Sequence, residues 1–359
     1  MTVSDMIMLR PFEQERFHQL VELARNRFDA VLTQPEARVL IHSAAAYSLG
    51  TPSAQEPRPP VRAEFLRWLM TDVDAANFID PIGIRISSVT ILTPLDLQSC
   101  IIPRPLHFLW STVEDELKLF CAEVQGLFIF GGTLRKGLLA DGITVHGPVF
   151  IQRTKSDGPI RFIGAELERN IDLSGTELTG SGIALALDGA RIRGSAFMHN
   201  GFRSSGEVHM LNARVGGDLG FNGASITATG RALSLDKVAV DGNVSFAPSL
   251  ESDGSGTPFH SDGAVNLLSA QIRGDLDCDG ADLAATGISL NISTAQIRGH
   301  VYLRNGFKAH GQLDMHSANV GNSIDLSGAT LTKAERAICL QEAIRYIIAP
   351  SLSYCVKKR

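Results

Sequence analysis

The chain has few aromatic residues. Phe, Trp and Tyr together make 6% of its 359 residues, while glycine reaches 34. That balance fits thin stacked coils better than a thick globular core. Cysteine is scarce too: five residues, an odd number with no CxxC spacing, which speaks against a disulfide framework and points to a reduced, cytoplasmic setting. No uncharged apolar run approaches the roughly 18 residues that a membrane helix needs. Arg10, Glu13 and Glu15 interrupt any apolar stretch a signal peptide would require in the first thirty residues. The net charge of −5 gives no reason to expect direct nucleic-acid binding. There is no GxGxxG after a strand, no GxxxxGK[ST], no HExxH and no Gly-x-Ser-x-Gly elbow, so no cofactor is expected. The ten histidines form no metal-spaced cluster.

What is present is a pattern that returns about every two dozen residues from 159 to 332. In Glu207 to Gly230, with Glu207 as position 1, apolar residues fall at positions 2, 4, 7, 9, 13, 15, 18 and 20. Members of a pair two apart share one face of an extended segment. Steps of five or six between pairs leave room for a corner. Four short sides, each pointing two side chains inward, describe a right-handed quadrilateral parallel β-helix. Rungs begin near Pro159, Ala184, Glu207, Ala232, Ala264, Ser289 and Gln312. Position 7 holds Ala165, Ala190, Ala213, Val238, Ala270, Ala295 and Ala318, and position 9 a larger aliphatic in every rung, such as Val215 or Ile272. The small side chain lets the opposite wall approach, and the large one fills the axis. Gly194, Gly217, Gly242, Gly274 and Gly299 stand at position 11, where glycine eases a turn.

The rest of the chain divides around this array. Residues 1–75 are expected to form a helical N-terminal cap region. An amphipathic helix runs from Phe12 to Leu32, and a second opens at Thr33 with Glu36 as capping-box partner. A proline-rich linker spans 51–60, and a third helix runs from Val61 to Met70. The solenoid spans 76–332, with early rungs of 21 or 22 residues and later ones of 23 to 25, ten and a half in all. One rung swells to 32 residues through a loop insertion at 248–263, an exposed excursion from a corner. Residues 333–359 read as a C-terminal capping helix and basic tail, with Ala337, Leu340, Ile344 and Ile348 on one stripe. Attraction of this helix to anionic lipid is the one membrane contact the sequence allows, and Lys357, Lys358 and Arg359 are too few charges for strong binding.

Candidate functional residues lie outside the core positions. Asp275, Asp277 and Asp279 alternate onto the outer face of one rung. Arg273 and Arg298 share position 10 on adjacent rungs, with Arg193 further along. Outward carboxylates beside a basic group could serve a carbohydrate-active site; a solvated wall with internal ion pairs is the plainer reading. Phe259 and His260, in the insertion, are the other candidates for an interaction surface. Residues 161–332 hold 18 acidic and 12 basic residues. An acidic wall could imitate DNA, although arginines interrupt it.

The paired small and large residues at near-five spacing resemble those of pentapeptide-repeat proteins, which form right-handed quadrilateral β-helices. Over residues 30 to 332 the chain is similar to a bacterial group of pentapeptide-like proteins. That likeness is carried by Val61-Arg-Ala-Glu-Phe-Leu-Arg-Trp-Leu69, Gly137-Leu-Leu-Ala-Asp-Gly-Ile-Thr-Val145 and Ala-x-Ile-Arg-Gly at 190–194, 270–274 and 295–299. Some members are labelled membrane-associated oxidoreductase. No residue here supports redox chemistry, and the resemblance supplies no catalytic residues. The expectation is a non-enzymatic scaffold that binds a partner protein, with an end-to-end homodimer open at the rung ends. A DNA-mimicking regulator and a carbohydrate-active β-helix are the alternatives.

Overall fold

In the repeats a rung has room for only two to four extended residues between corners, so its backbone groups find partners on the rungs above and below. The computed structural model shows this arrangement and describes residues 9–28, 31–45, 58–228, 230–249, 256–332, 337–340 and 347–348. The chain winds through about eleven turns of a parallel β-solenoid with four walls. Starting from Glu207, the first wall contains Glu207–His209, the second Arg214–Val215, the third Leu219–Gly220 and the fourth Ser225–Ile226. Among the described residues the four sheets hold 11, 10, 12 and 12 strands in that order. Every pairing is parallel and joins residues one turn apart, for example Leu219 with Val244 and Arg214 with Ala239.

The inward positions of the repeat make a single continuous core. Val208, Met210, Ala213, Val215, Leu219, Phe221, Ala224 and Ile226 are all buried, as are their equivalents in neighbouring rungs. Burying a large aliphatic or aromatic side chain stabilises by roughly 1.5–3 kcal/mol, so each rung contributes through several such groups. Phe221, Phe246 and Phe259 stack inside, with ring centroids 5.4 and 4.9 Å apart in succession. Both Cys100 and Cys278 stand at inward positions of the repeat; Cys278 is buried and Cys100 half-buried.

Corners have two different causes. After wall one the chain turns through a left-handed residue in each rung: Asn212, Lys237, Ser269, Thr294 and Ser317 have φ of 56, 59, 57, 57 and 51°. The position-11 glycines do not. They are required by close approach: a Cβ on Gly274 would overlap the Asn243 side-chain oxygen, and one on Gly299 the Asp275 carboxylate. Those oxygens form a ladder down the corner. Asp218 Oδ1 accepts from Asn243 N at 2.8 Å, Asn243 Oδ1 from Asp275 N at 2.8 Å, and Asp275 Oδ1 from His300 N at 2.6 Å.

Among the described residues four helices precede the solenoid: α1 (Pro11–Phe28), α2 (Gln34–Ala44), α3 (Ala63–Thr71) and α4 (Val73–Ala76). Thr33 and Glu36 form the reciprocal capping box at the start of α2. Helix α2 packs on the first strand of wall three, Ile84–Ser87, and Ser43 Oγ accepts from Arg85 N at 3.2 Å. Glu36 is buried and holds the Arg62 guanidinium by two hydrogen bonds of 2.6 and 3.0 Å. Val61 differs from expectation. Pro60–Val61 is a strand paired with Thr90–Ile91, and the helix starts two residues later. Proline fixes an extended approach and the edge of the first rung offers ladder partners. Part of the 51–60 linker lies outside the described residues.

The far end departs further. A helix is expected over 333–348, yet the described residues there include two short strands. Ile338–Cys339 pairs with Leu313–Asp314 in wall one, and Ile347–Ile348 with Ile324–Asp325 in wall three. An open sheet edge presents a row of unpaired backbone groups, and chain that follows immediately can satisfy them. The basic tip, 357–359, lies outside the described residues. The insertion is also shorter than its composition indicates. Phe259 is fully buried and His260–Ser261 is a strand of wall four, so the chain is back in register by Phe259. Among the described residues no helix is long and apolar enough to cross a membrane.

Candidate functional site

Outward positions on the third wall form one straight column, because consecutive rungs pair in register. Read along the stack it runs His107, Phe128, Phe150, Asp172, Phe197, Gly220, Ser245, Asp277, Tyr302 and Asp325. Its first part is aromatic. The His107 ring lies parallel to Phe128 at 4.4 Å, and Phe128 meets Phe150 edge to face at 5.6 Å. Beside it Trp110 meets Phe130 edge to face at 5.8 Å, and the Arg153 guanidinium lies over the Phe130 ring at 5.8 Å. All five of these rings are only half-buried. Burial depresses the His107 imidazole below its ordinary value, with a hydrogen bond to Ile82 O opposing.

Further along, the column drops to Gly220 and Ser245 and opens a shallow trough of about 300 Å³. Phe197 stands at one end and Tyr302 at the other, with Asp218, Asn243 and Asp275 along the corner side. Three rung steps separate Phe197 from Asp277, about 14 Å along the stack at ordinary strand spacing. Asp277 lies in the floor. Burial raises its carboxyl above the ordinary value, and neighbouring Asp279 and Asp275 add to this against the Asp279 N–H and Arg304. Tyr302 stacks on His300 at 5.2 Å and carries Arg304 over its ring at 4.0 Å. Its hydroxyl is also pushed up, chiefly by burial and then by Asp275.

The residues singled out from the sequence divide between this trough and the rest of the surface. Asp275 and Asp277 line it. Asp279 lies past it, where Arg304 Nε reaches both carboxylate oxygens at 3.1 and 3.0 Å and Asn305 donates at 2.7 Å. Arg273 pairs with Asp241 at 3.0 Å and Arg193 with Glu168 at 3.5 Å. Arg298 is exposed at the same corner and does not line the trough. Phe259 is no surface residue: it fills the core against Phe246. His260 is tied within wall four, to Asp262 at 3.1 Å and Asp282 at 3.5 Å. The aromatic column and the trough floor are absent from that selection. Their signal in the sequence is a ring one residue after the first inward residue of wall three, at Phe128 and Phe150 in successive rungs.

The other three walls mix their charges. Lys155, Glu177 and Arg203 are consecutive in wall four, as are His260, Asp282 and Lys308. Wall two runs Glu166, Arg191, Arg214. Among the described residues no group of His, Cys, Asp and Glu is placed to hold a metal ion. No protein-family model, no curated protein and no solved structure matches the chain. The fold and this face together define the class: a repeat protein of the parallel β-solenoid type.

Proposed function

We propose that the chain is a non-enzymatic interaction scaffold that docks a partner protein on the outer face of the third wall. The half-exposed column of His107, Phe128 and Phe150 carries this reading. Rings held at strand spacing on a rigid sheet are preorganised, so they lose little conformational freedom on binding. We also take the chain to be a divergent pentapeptide-like repeat protein acting in the cytoplasm, on the strength of the small and large pairs and the unpaired cysteines. The test is a photo-crosslinking residue placed at Phe128, with Gln296 on wall two as control. One defined protein adduct from the first site, competed by excess unlabelled chain, is the expected result. An adduct of twice the chain mass identifies a second copy as the partner. Equal labelling from both sites sinks the proposal.

A carbohydrate-active trough is the second reading, favoured by Asp275 and Asp277 meeting beside Tyr302. Asp277→Ala leaving every glycan-binding and cleavage signal intact ends it. DNA mimicry has less support, because the mixed signs of the walls interrupt any acidic stripe.

A further inference from the structure

His146 stands on the outer side of wall two. It follows the strand Thr144–Val145, which pairs with Glu123–Val124 on the rung before and Glu166–Leu167 on the rung after. Both of its ring nitrogens meet carboxylates from those rungs. Nε2 is 3.0 Å from Glu123 Oε1, and Nδ1 is 3.4 Å from Glu168 Oε2. Glu168 turns its other oxygen to Arg193 at 3.5 Å, so the chain of contacts reaches a fourth rung. The charged groups facing the imidazole are thus Glu123 and Glu168, with Arg193 behind Glu168. Glu166, in the next column, is paired with Arg191. A neutral imidazole has one N–H and one lone pair, so it donates to one carboxylate and turns its lone pair on the other. The imidazolium satisfies both contacts. His260 on wall four also meets two carboxylates, but Asp262 belongs to its own rung, so only two rungs are joined there.

We propose that His146 is a pH-operated clasp built into wall two: the imidazolium joins three successive rungs through Glu123 and Glu168, and the neutral ring lets Glu168 go. Glu168 is the partner released because its contact is the longer and Arg193 remains to receive its charge. The neutral ring then keeps its proton on Nε2, toward Glu123. Hydrogen bonds to Glu123 and then Glu168 hold the imidazole above its ordinary value of 6.5, against the cost of desolvation. A raised histidine contributes fully below 6.5 and loses its contribution as pH rises through the folded value. The three side chains are half-exposed, so the clasp governs local opening of the ladder and little of the global stability. The same rungs carry Phe128 and Phe150 on wall three, yet the clasp does not depend on the docking role of that wall.

The experiment follows the imidazole of the full chain, with isotope-labelled histidine, by long-range proton–nitrogen NMR across a pH titration. Both nitrogens are expected to carry protons at about pH 6, the midpoint to lie above 6.5, and the neutral ring to be the Nε2–H tautomer. Glu123→Gln and Glu168→Gln each lower the midpoint. Arg193→Gln raises it, because the Glu168 charge is left to the histidine alone. Amide exchange reads the clasp itself. The Glu168 N–H donates to Val145 O at 2.9 Å, across the joint between the two rungs. After correction for the intrinsic pH dependence it is more protected at about pH 6 than at about pH 8, by up to about fivefold. His146→Gln removes that difference. All four variants replace exposed or half-exposed groups, and circular dichroism checks their fold. A wild-type midpoint at or below 6.5 overturns the inference, as does a midpoint that neither glutamate variant moves or an Nδ1–H tautomer in the neutral ring. Equal corrected protection at the two pH values, or a difference that survives His146→Gln, does so too, because the imidazole then titrates without joining the rungs.

Discussion

Asp277 keeps its proton to higher pH in the folded chain than in the unfolded one, because burial penalises its charge and Asp279 and Asp275 add to the penalty. The sign of the consequence follows from linkage. A raised carboxyl contributes its full stability below the ordinary value of 3.8 and loses it as pH rises through the folded value. At neutral pH the ionised group therefore works against folding. Asp277→Asn should shift the denaturation midpoint upward at about pH 7, and the gain should shrink toward about pH 4. Denaturant melts of both proteins at the two pH values check it; an Asn variant less stable at neutral pH would contradict the account. A residue that lowers stability where it stands is the kind of group a binding site retains. The corner glycines make the opposite contribution. Gly274 and Gly299 leave room for the Asn243 and Asp275 oxygens that close the ladder, so their role is set by contact, with ordinary backbone angles.

At the level of elements, the start of the molecule depends on an ion pair whose acid, Glu36, is buried and whose arginine, Arg62, is half-exposed. Burial alone would raise the Glu36 carboxyl; the Arg62 fork and the two Thr33 hydrogen bonds outweigh it and hold the group below its ordinary value. Arg62 also lies over the Phe28 ring at 5.2 Å, so it ties α1, α2 and the approach to α3 together. Arg62→Met should cost about 3 kcal/mol, because it leaves a buried carboxylate uncompensated. Limited proteolysis should then cut first in α1 and α2, with the rungs protected; loss of protection throughout would show that the helices are not a separable layer. The capping box was readable from Thr33 and Glu36 because a cap is local chemistry. The inward ladder was readable for a similar reason, since repetition averages over single rungs. The final strands were not. Their apolar spacing suits a helix, and only the unsatisfied edge of the preceding rung decides for a strand. The trough stayed hidden because it is defined by what is missing at Gly220 and Ser245. Its walls are residues 105 positions apart from Phe197 to Tyr302, brought together by register alone.

For the whole molecule, each rung touches only its neighbours, so stability accumulates turn by turn and an insertion matters only where it disturbs the ladder. The swollen rung keeps its ladder on both sides. Gly223 N donates to Ala247 O at 3.0 Å, and His260 N donates to Ala224 O at 2.9 Å. The ends of the insertion are already tied: Ser249 N donates to Thr257 O at 2.9 Å, and Thr257 N to Ser249 Oγ at 3.2 Å. Closing a long loop costs little more than closing a short one, with each doubling worth about 0.6 kcal/mol. Deleting residues 250–255 should therefore change unfolding free energy by less than about 1 kcal/mol. Partner capture from a crosslinker at Phe128 should be unchanged, since no described residue of the insertion lines the third wall's trough. Thermal melts and the crosslinking yield measure both. A large loss of stability would mean that the insertion contributes to the rung itself, and a loss of capture would move the docking site from the third wall to this corner.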